Sequence, residues 1–215
     1  MTAETPYNPL DKTNLGVSVA DALLVREPVA LPTDRFLGAG IYAIYYTGDF
    51  PAYRWVAECN RDGRFEAPLY VGRAIPAGAR KGGFGLNVPS GTVLYSRLHE
   101  HAVSINQASN LTLDDFTCRY LTVEDIWIPL GEALLIERFQ PVWNRVVDGF
   151  GNHAPGRGRR NQERSRWDTL HPGRAWAEPL QLNRLSAEQI TANVEAYVAG
   201  RPADVVEYQL DEGEE

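Results

Sequence analysis

The sequence predicts a mixed α/β (α+β) fold in which a small three-stranded sheet is flanked by helices. Three observations predict it. Ile41-Tyr42-Ala43-Ile44-Tyr45-Tyr46 is an unbroken aromatic and aliphatic run, introduced by Gly38 and Gly40 and stopped by Thr47-Gly48-Asp49, which is the signature of a strand. Pro68 to Gly72 and the alternating run Phe116 to Val123 supply two more strands, with Pro68 confined to the start of its run. Two helical patterns complete the layer: Leu94, Leu98, Ala102 and Ile105 recur at helical spacing from about Thr92 to Ala108, and Ala133, Leu134, Leu135, Ile136 and Phe139 mark a second helix that Pro141 ends.

The remaining elements follow in order. Residues 1–14 read as irregular, and residues 15–26 as a helix with Val19, Leu23 and Leu24 on one side, ended by Pro28 and Pro32. Asp49 is placed to cap a short helix through Ala57, with Pro51 in its first turn. Arg61-Asp62-Gly63 is a turn. Residues 74–91 are dense in Gly and Pro and read as a long loop, a kind of segment that in compact domains is functional or disordered. Pro129 and Gly131 precede the apolar helix of Ala133 to Phe139. Residues 148–174 are a Gly- and Arg-rich irregular segment punctuated by Trp167, with Trp176 just beyond. A last helix covers about Ser186 to Val198 with Ser186 as its cap, and Asp211 to Glu215 read as unstructured. The organisation expected is one domain over residues 1–215, with a core at about 38–146, a helical arm at 1–37 and an extension at 147–215.

Bulk properties exclude several classes. With 215 residues, 44% of them hydrophobic, the chain can bury a real core. Cys59 and Cys118 are too few and too far apart for a disulfide framework, so a reducing compartment and a cytoplasmic location are expected. Met1 to Leu10 has neither the basic start nor the apolar run of a signal peptide, and no stretch approaches membrane-spanning length. A net charge of −7 argues at first against a nucleic-acid partner, but the charge is polarised. Residues 145–174 hold seven arginines against three acids, a net of +4, whereas residues 175–215 hold nine acids against two arginines, a net of −7. Local potential, more than the total, governs phosphate binding.

One ordered set of polar residues carries chemistry. Tyr42 and Tyr70 place two outward phenols above one edge of the sheet, and Arg97 and His101, four apart, share one helix face next to the apolar stripe. Glu132 stands near the start of the apolar helix, and Asn144 follows Pro141. Hydrolysis of an anionic phosphodiester requires an activated water, neutralisation of the charge that builds on phosphorus, and help for the leaving oxygen. Arg97 offers a planar fork for phosphate oxygens, His101 can accept a proton from a phenol, and Glu132 can ligate one Mg²⁺ through a hard oxygen. Taken singly, each has a plainer reading. Tyr42 and Tyr70 resemble half-buried strand tyrosines, Arg97 a surface ion-pair partner and Asn144 a turn residue. His99 competes with His101, and Glu137 with Glu132.

Gly40-Ile41-Tyr42, Tyr70-Val71-Gly72, Arg97, His101, Glu132 and Asn144, in that order, resemble the GIY-YIG nuclease superfamily. The resemblance implies an antiparallel three-stranded core and Mg²⁺-dependent hydrolysis of DNA, with Mn²⁺ as a substitute. The GIY tyrosine falls on Tyr42, the YIG tyrosine on Tyr70, the helix arginine on Arg97, the next-turn histidine on His101, the metal glutamate on Glu132 and the late asparagine on Asn144. Tyr42 would then be the general base, and products would carry a 5′-phosphate and a 3′-hydroxyl. The insertions at 49–67 and 74–91, together with Val147 to His153 and the Trp167 to Arg174 segment, are similar to the type II restriction endonucleases of the superfamily that cut CCGCGG. That closer likeness implies a homodimer on double-stranded DNA, each subunit cutting one strand. Arg73, Arg80, Lys81, Asn152, His153, Arg157, Arg159 and Arg160 are the DNA-contact candidates, with the arginines more suited to phosphates than to bases. Nineteen arginines against two lysines suit guanine-rich readout, or reflect a GC-rich genome. Two other readings remain open: a repair or mobile-element nuclease of the same superfamily, and a non-catalytic DNA-binding module.

Overall fold

A computed structural model describes Asn8 and residues 10–76, 91–154 and 162–206. Its centre is strand β2 (Gly40–Tyr46), buried at all seven positions. β2 pairs antiparallel with β3 (Tyr70–Ala74) on one side and β4 (Phe116–Thr122) on the other, so that Tyr42 stands opposite Gly72 and Tyr120. A two-residue strand, β1 (Val29–Ala30), adds to the outer edge of β4 and makes the sheet four-stranded, in the order β1-β4-β2-β3. The predicted antiparallel trio is present; β1 escaped notice because two residues between Pro28 and Pro32 carry no alternation.

Both faces of the sheet are covered, which explains why β2 is apolar throughout rather than alternating. One face (Ile41, Ala43, Tyr45) packs on α1 (Lys12–Leu24) and α4 (Ile128–Phe139). The other (Tyr42, Ile44, Tyr46) packs on α2 (Arg54–Asn60), α3 (Val93–Gln107), α5 (Val142–Arg145), α6 (Arg166–Leu170) and α7 (Ala187–Val198). The tyrosines expected to point outward therefore lie within packed layers: Tyr42 is fully buried and Tyr70 half-buried.

The stripe on α3 buries Leu94, Leu98, Ala102 and Ile105 as its spacing predicts. α1 starts at Lys12, capped by Asp11. α4 begins a turn earlier than expected, with Pro129 in its first turn and Gly131 inside it. A Cβ at Gly131 would lie 2.7 Å from Val19, so glycine there lets α4 approach α1 closely. Asp49 does not cap a helix. The chain passes first through a 3₁₀ turn at Pro51–Tyr53, and the Asp49 carboxylate pairs with Arg61 at 2.5 Å. α7 carries the predicted Ser186 cap, closed into a capping box by Gln189. Among the described residues no helix is long and apolar enough to cross a membrane.

Candidate active site

β2 and β3 lie side by side, and their register sets Tyr42 above Gly72, where an added Cβ would collide with the phenol oxygen. The missing side chain makes room for a buried hydroxyl. α3 crosses this face and delivers His101, one turn beyond Arg97. Tyr42 Oη and His101 Nε2 are 2.6 Å apart. Burial, and then the neighbouring Arg97 charge, holds the His101 imidazole well below its ordinary range. Burial pushes the Tyr42 phenol well above its own, with Tyr70 adding to the rise and Arg97 opposing it. Near neutral pH the pair is thus a phenol donating to a neutral imidazole.

Tyr70 and His101 meet edge to face, with ring centroids 5.4 Å apart, and Tyr42 and Tyr70 are 6.1 Å apart. Arg97 Nη1 contacts Glu100 at 3.2 Å and His153 Nε2 at 2.8 Å, while its Nη2 donates to the Gly151 carbonyl at 2.9 Å. A Cβ built at Gly151 would sit 2.8 Å from Arg97 Nη2 and 3.3 Å from Tyr70 Oη, which places guanidinium and second phenol beside the same stretch of backbone.

Glu132 comes from the opposite layer. It is 5% exposed, and Arg73 Nε of β3 lies 3.1 Å from its Oε2. Its charge nevertheless reaches Tyr42, whose phenol it pushes upward. β3 is an edge strand, so a side chain on either face can approach its rim. Asn144 closes that edge. Its Oδ1 accepts from Val71 N and its Nδ2 donates to Val71 O, both at 2.8 Å, and Trp143 N donates to Leu69 O at 3.0 Å. The side-chain amide thus stands in for the missing neighbouring strand.

The six ordered residues accordingly divide into a polar cluster of Tyr42, Tyr70, Arg97 and His101, a carboxylate at its margin, and a backbone clamp. His99 is exposed, stacked on Tyr95, and Glu137 is exposed, so neither competitor joins. Of the DNA-contact candidates, Arg73 pairs with Glu132, His153 stands on Arg97, and Asn152 is exposed. Arg80, Lys81, Arg157, Arg159 and Arg160 lie outside the described residues. Phe150 and Gly151 contact the site and were not singled out from the sequence. The signal available was only their place in the Val147 to His153 string.

One buried carboxylate, paired with Arg73, suits one class of ion. Among the described residues there is no group of three or more His, Cys, Asp or Glu side chains able to hold a metal. An all-protein cage for zinc or calcium does not fit these residues. Mg²⁺ does, since it takes one or two carboxylates and keeps waters and phosphate oxygens in its other positions.

Paired Gly-Ile-Tyr and Tyr-Val-Gly strands, with an arginine and histidine on the crossing helix and a glutamate on the helix behind, define a GIY-YIG domain. Residues 34–198 match the family described as the Eco29kI GIY-YIG domain, and the chain belongs to that family of restriction endonucleases. It is a nuclease, and its substrate is DNA. No curated protein matches the chain.

Proposed function

We propose that this chain is a Mg²⁺-dependent type II restriction endonuclease that acts as a homodimer on a palindromic, GC-rich site, CCGCGG. The observation that carries the catalytic part is the 2.6 Å Tyr42–His101 contact with Arg97 and Glu132 in electrostatic reach. The recognition sequence rests on the likeness of the Val147 to His153 and Trp167 to Arg174 strings. The dimer rests on palindromic symmetry, since a chain with one site needs a two-fold partner to cut both strands.

The residues have separable tasks. Tyr42 Oη takes a proton from the attacking water while passing its own to His101 Nε2. The water oxygen bonds to phosphorus as the bond to the 3′-oxygen breaks, and that oxygen leaves protonated by solvent. Arg97 balances the charge gathering on the non-bridging oxygens. Tyr70 positions the phosphate or the water. Glu132 would hold the Mg²⁺, which when bound supplies Lewis-acid neutralisation of the leaving oxygen. Asn144 keeps β3, and with it Tyr70, in register. Arg157, Arg159 and Arg160 serve the DNA backbone.

Digestion of a sequenced plasmid with Mg²⁺ should give discrete double-strand fragments ending within CCGCGG. A smear, nicks alone or uncut plasmid refutes the reading. Glu132→Ala should lower cleavage at least about 100-fold while mobility-shift affinity for the site is retained. Cleavage that survives the substitution removes Glu132 from the metal site. Sedimentation of the enzyme on one duplex should report two chains per site.

A further inference from the structure

Residues 149–153 press on the site from outside the six-residue set. Phe150 lies flat on the His101 imidazole, 4.4 Å between centroids at 15°, and meets Tyr70 edge-on at 5.1 Å. Gly151 accepts from Arg97, and His153 stands against the same guanidinium. The stretch has no helix or strand of its own to hold it there. Three more of its carbonyls accept from one side chain. Arg174 donates to Gly149 O at 2.8 Å, Phe150 O at 3.1 Å and Asn152 O at 3.3 Å.

Arg174 is itself fixed. Its Nε and Nη2 grip the two oxygens of Asp168 at 2.6 and 2.7 Å, and both side chains are 1% exposed. The guanidinium carbon lies 4.4 Å from the ring centre of Trp167 and 4.6 Å from that of Trp176. A fastener between two core elements needs only the Asp168 contact. The three carbonyls are a separate use of the planar fork, which no lysine can reproduce.

We propose that Arg174 is a positioning residue for the nuclease reaction, fixing the 149–153 loop so that Phe150 covers His101 and the Gly151 carbonyl orients Arg97. The inference rests on the nuclease reading above and deepens it. The neighbours that face His101 are the phenols of Tyr42 and Tyr70, the guanidinium groups of Arg97 and Arg174, and His153.

The test uses the full chain with Arg174→Lys, which keeps the charge opposite Asp168 and loses the fork. Single-turnover cleavage should fall about 10- to 100-fold, as misplacing a catalytic group by an ångström does. Affinity for the duplex in chelator should stay within about two-fold. Imidazole NMR, in a His153→Asn background, should show the His101 titration rising toward the ordinary range as water enters beside Phe150. Unchanged cleavage with an unchanged His101 titration, whatever the melting temperature, overturns the proposal. Should Arg174→Lys fail to fold, Gly151→Ala disturbs the same contact and leaves the Arg174–Asp168 pair whole. It should show the same loss of rate, and a wild-type rate overturns the proposal. A wild-type chain that cuts nothing refutes the nuclease reading instead, and the His101 titration still decides whether Arg174 governs the loop.

Discussion

Tyr42–His101 and Tyr53–His171 are one chemical pair built twice in the same apolar cluster. Both have 2.6 Å between phenol oxygen and Nε2, and all four residues are buried. In both, burial drives the phenol upward and the imidazole downward, His171 to about 3, with Arg174 adding to the fall. The surroundings differ. The first pair faces Arg97, Tyr70 and the Glu132 charge. In the second, the His171 Nδ1 lies 2.9 Å from the Asn110 amide oxygen, and the rings of Phe50, Trp143 and Trp167 stand around it. A buried Tyr–His hydrogen bond is therefore not a site in itself. Under the function proposed above, the charged neighbours of the first pair make it catalytic, while an amide and aromatic walls make the second a core fastener.

The comparison breaks most sharply at the phenols. Tyr42→Phe should cut the single-turnover rate by about 10² to 10⁴, the usual contribution of general acid–base catalysis, with folding preserved. Tyr53→Phe should leave the rate alone and lower stability by about 1–3 kcal/mol, because His171 loses a buried partner. Equal losses of rate in the two variants would erase the distinction. Acid acts on both pairs through stability. The unfolded chain protonates its histidines below pH ~6.5 while native His171 stays neutral down to about 3. The unfolded state thus binds more protons in that window, and stability falls as pH drops from about 6.5 toward 3, at roughly 1.4 kcal/mol per pH unit for each such histidine. Urea midpoints of the wild type and His171→Gln at pH 7 and 5 should show a shallower decline in the variant. The smallest effect belongs to Asn110→Ala. It should cost about 1 kcal/mol with cleavage intact, since the amide bonds His171 and the Leu170 carbonyl and touches none of the first pair's neighbours.

The two pairs also differ in how far the sequence revealed them. Tyr42 and His101 were legible because they occupy fixed places in an ordered pattern, and Arg97 chose between His99 and His101 through helix periodicity. Tyr53, Asn110 and His171 come from a helix approach, a loop and the end of α6, and no local period relates them. Only the tertiary packing joins them. Likewise the apolar continuity of β2 announced a strand covered on both faces, but not that Tyr42 would be sealed under α3, because strand composition does not say which helix covers which face. The role of Arg174 was hidden for a similar reason. Its partners are mostly backbone carbonyls, and a carbonyl has no letter in the sequence.

The Asn144 clamp bears on how two copies can associate. At Leu69 and Val71 the outer rim of β3 has already spent its donors and acceptors on Trp143 and Asn144. At the far rim the two-residue β1 is bounded by Pro28 and Pro32. Continuation of the sheet is closed at Leu69 and Val71 and disfavoured at the short, proline-flanked β1, so the dimer proposed above would be joined through side-chain contacts between helices or loops.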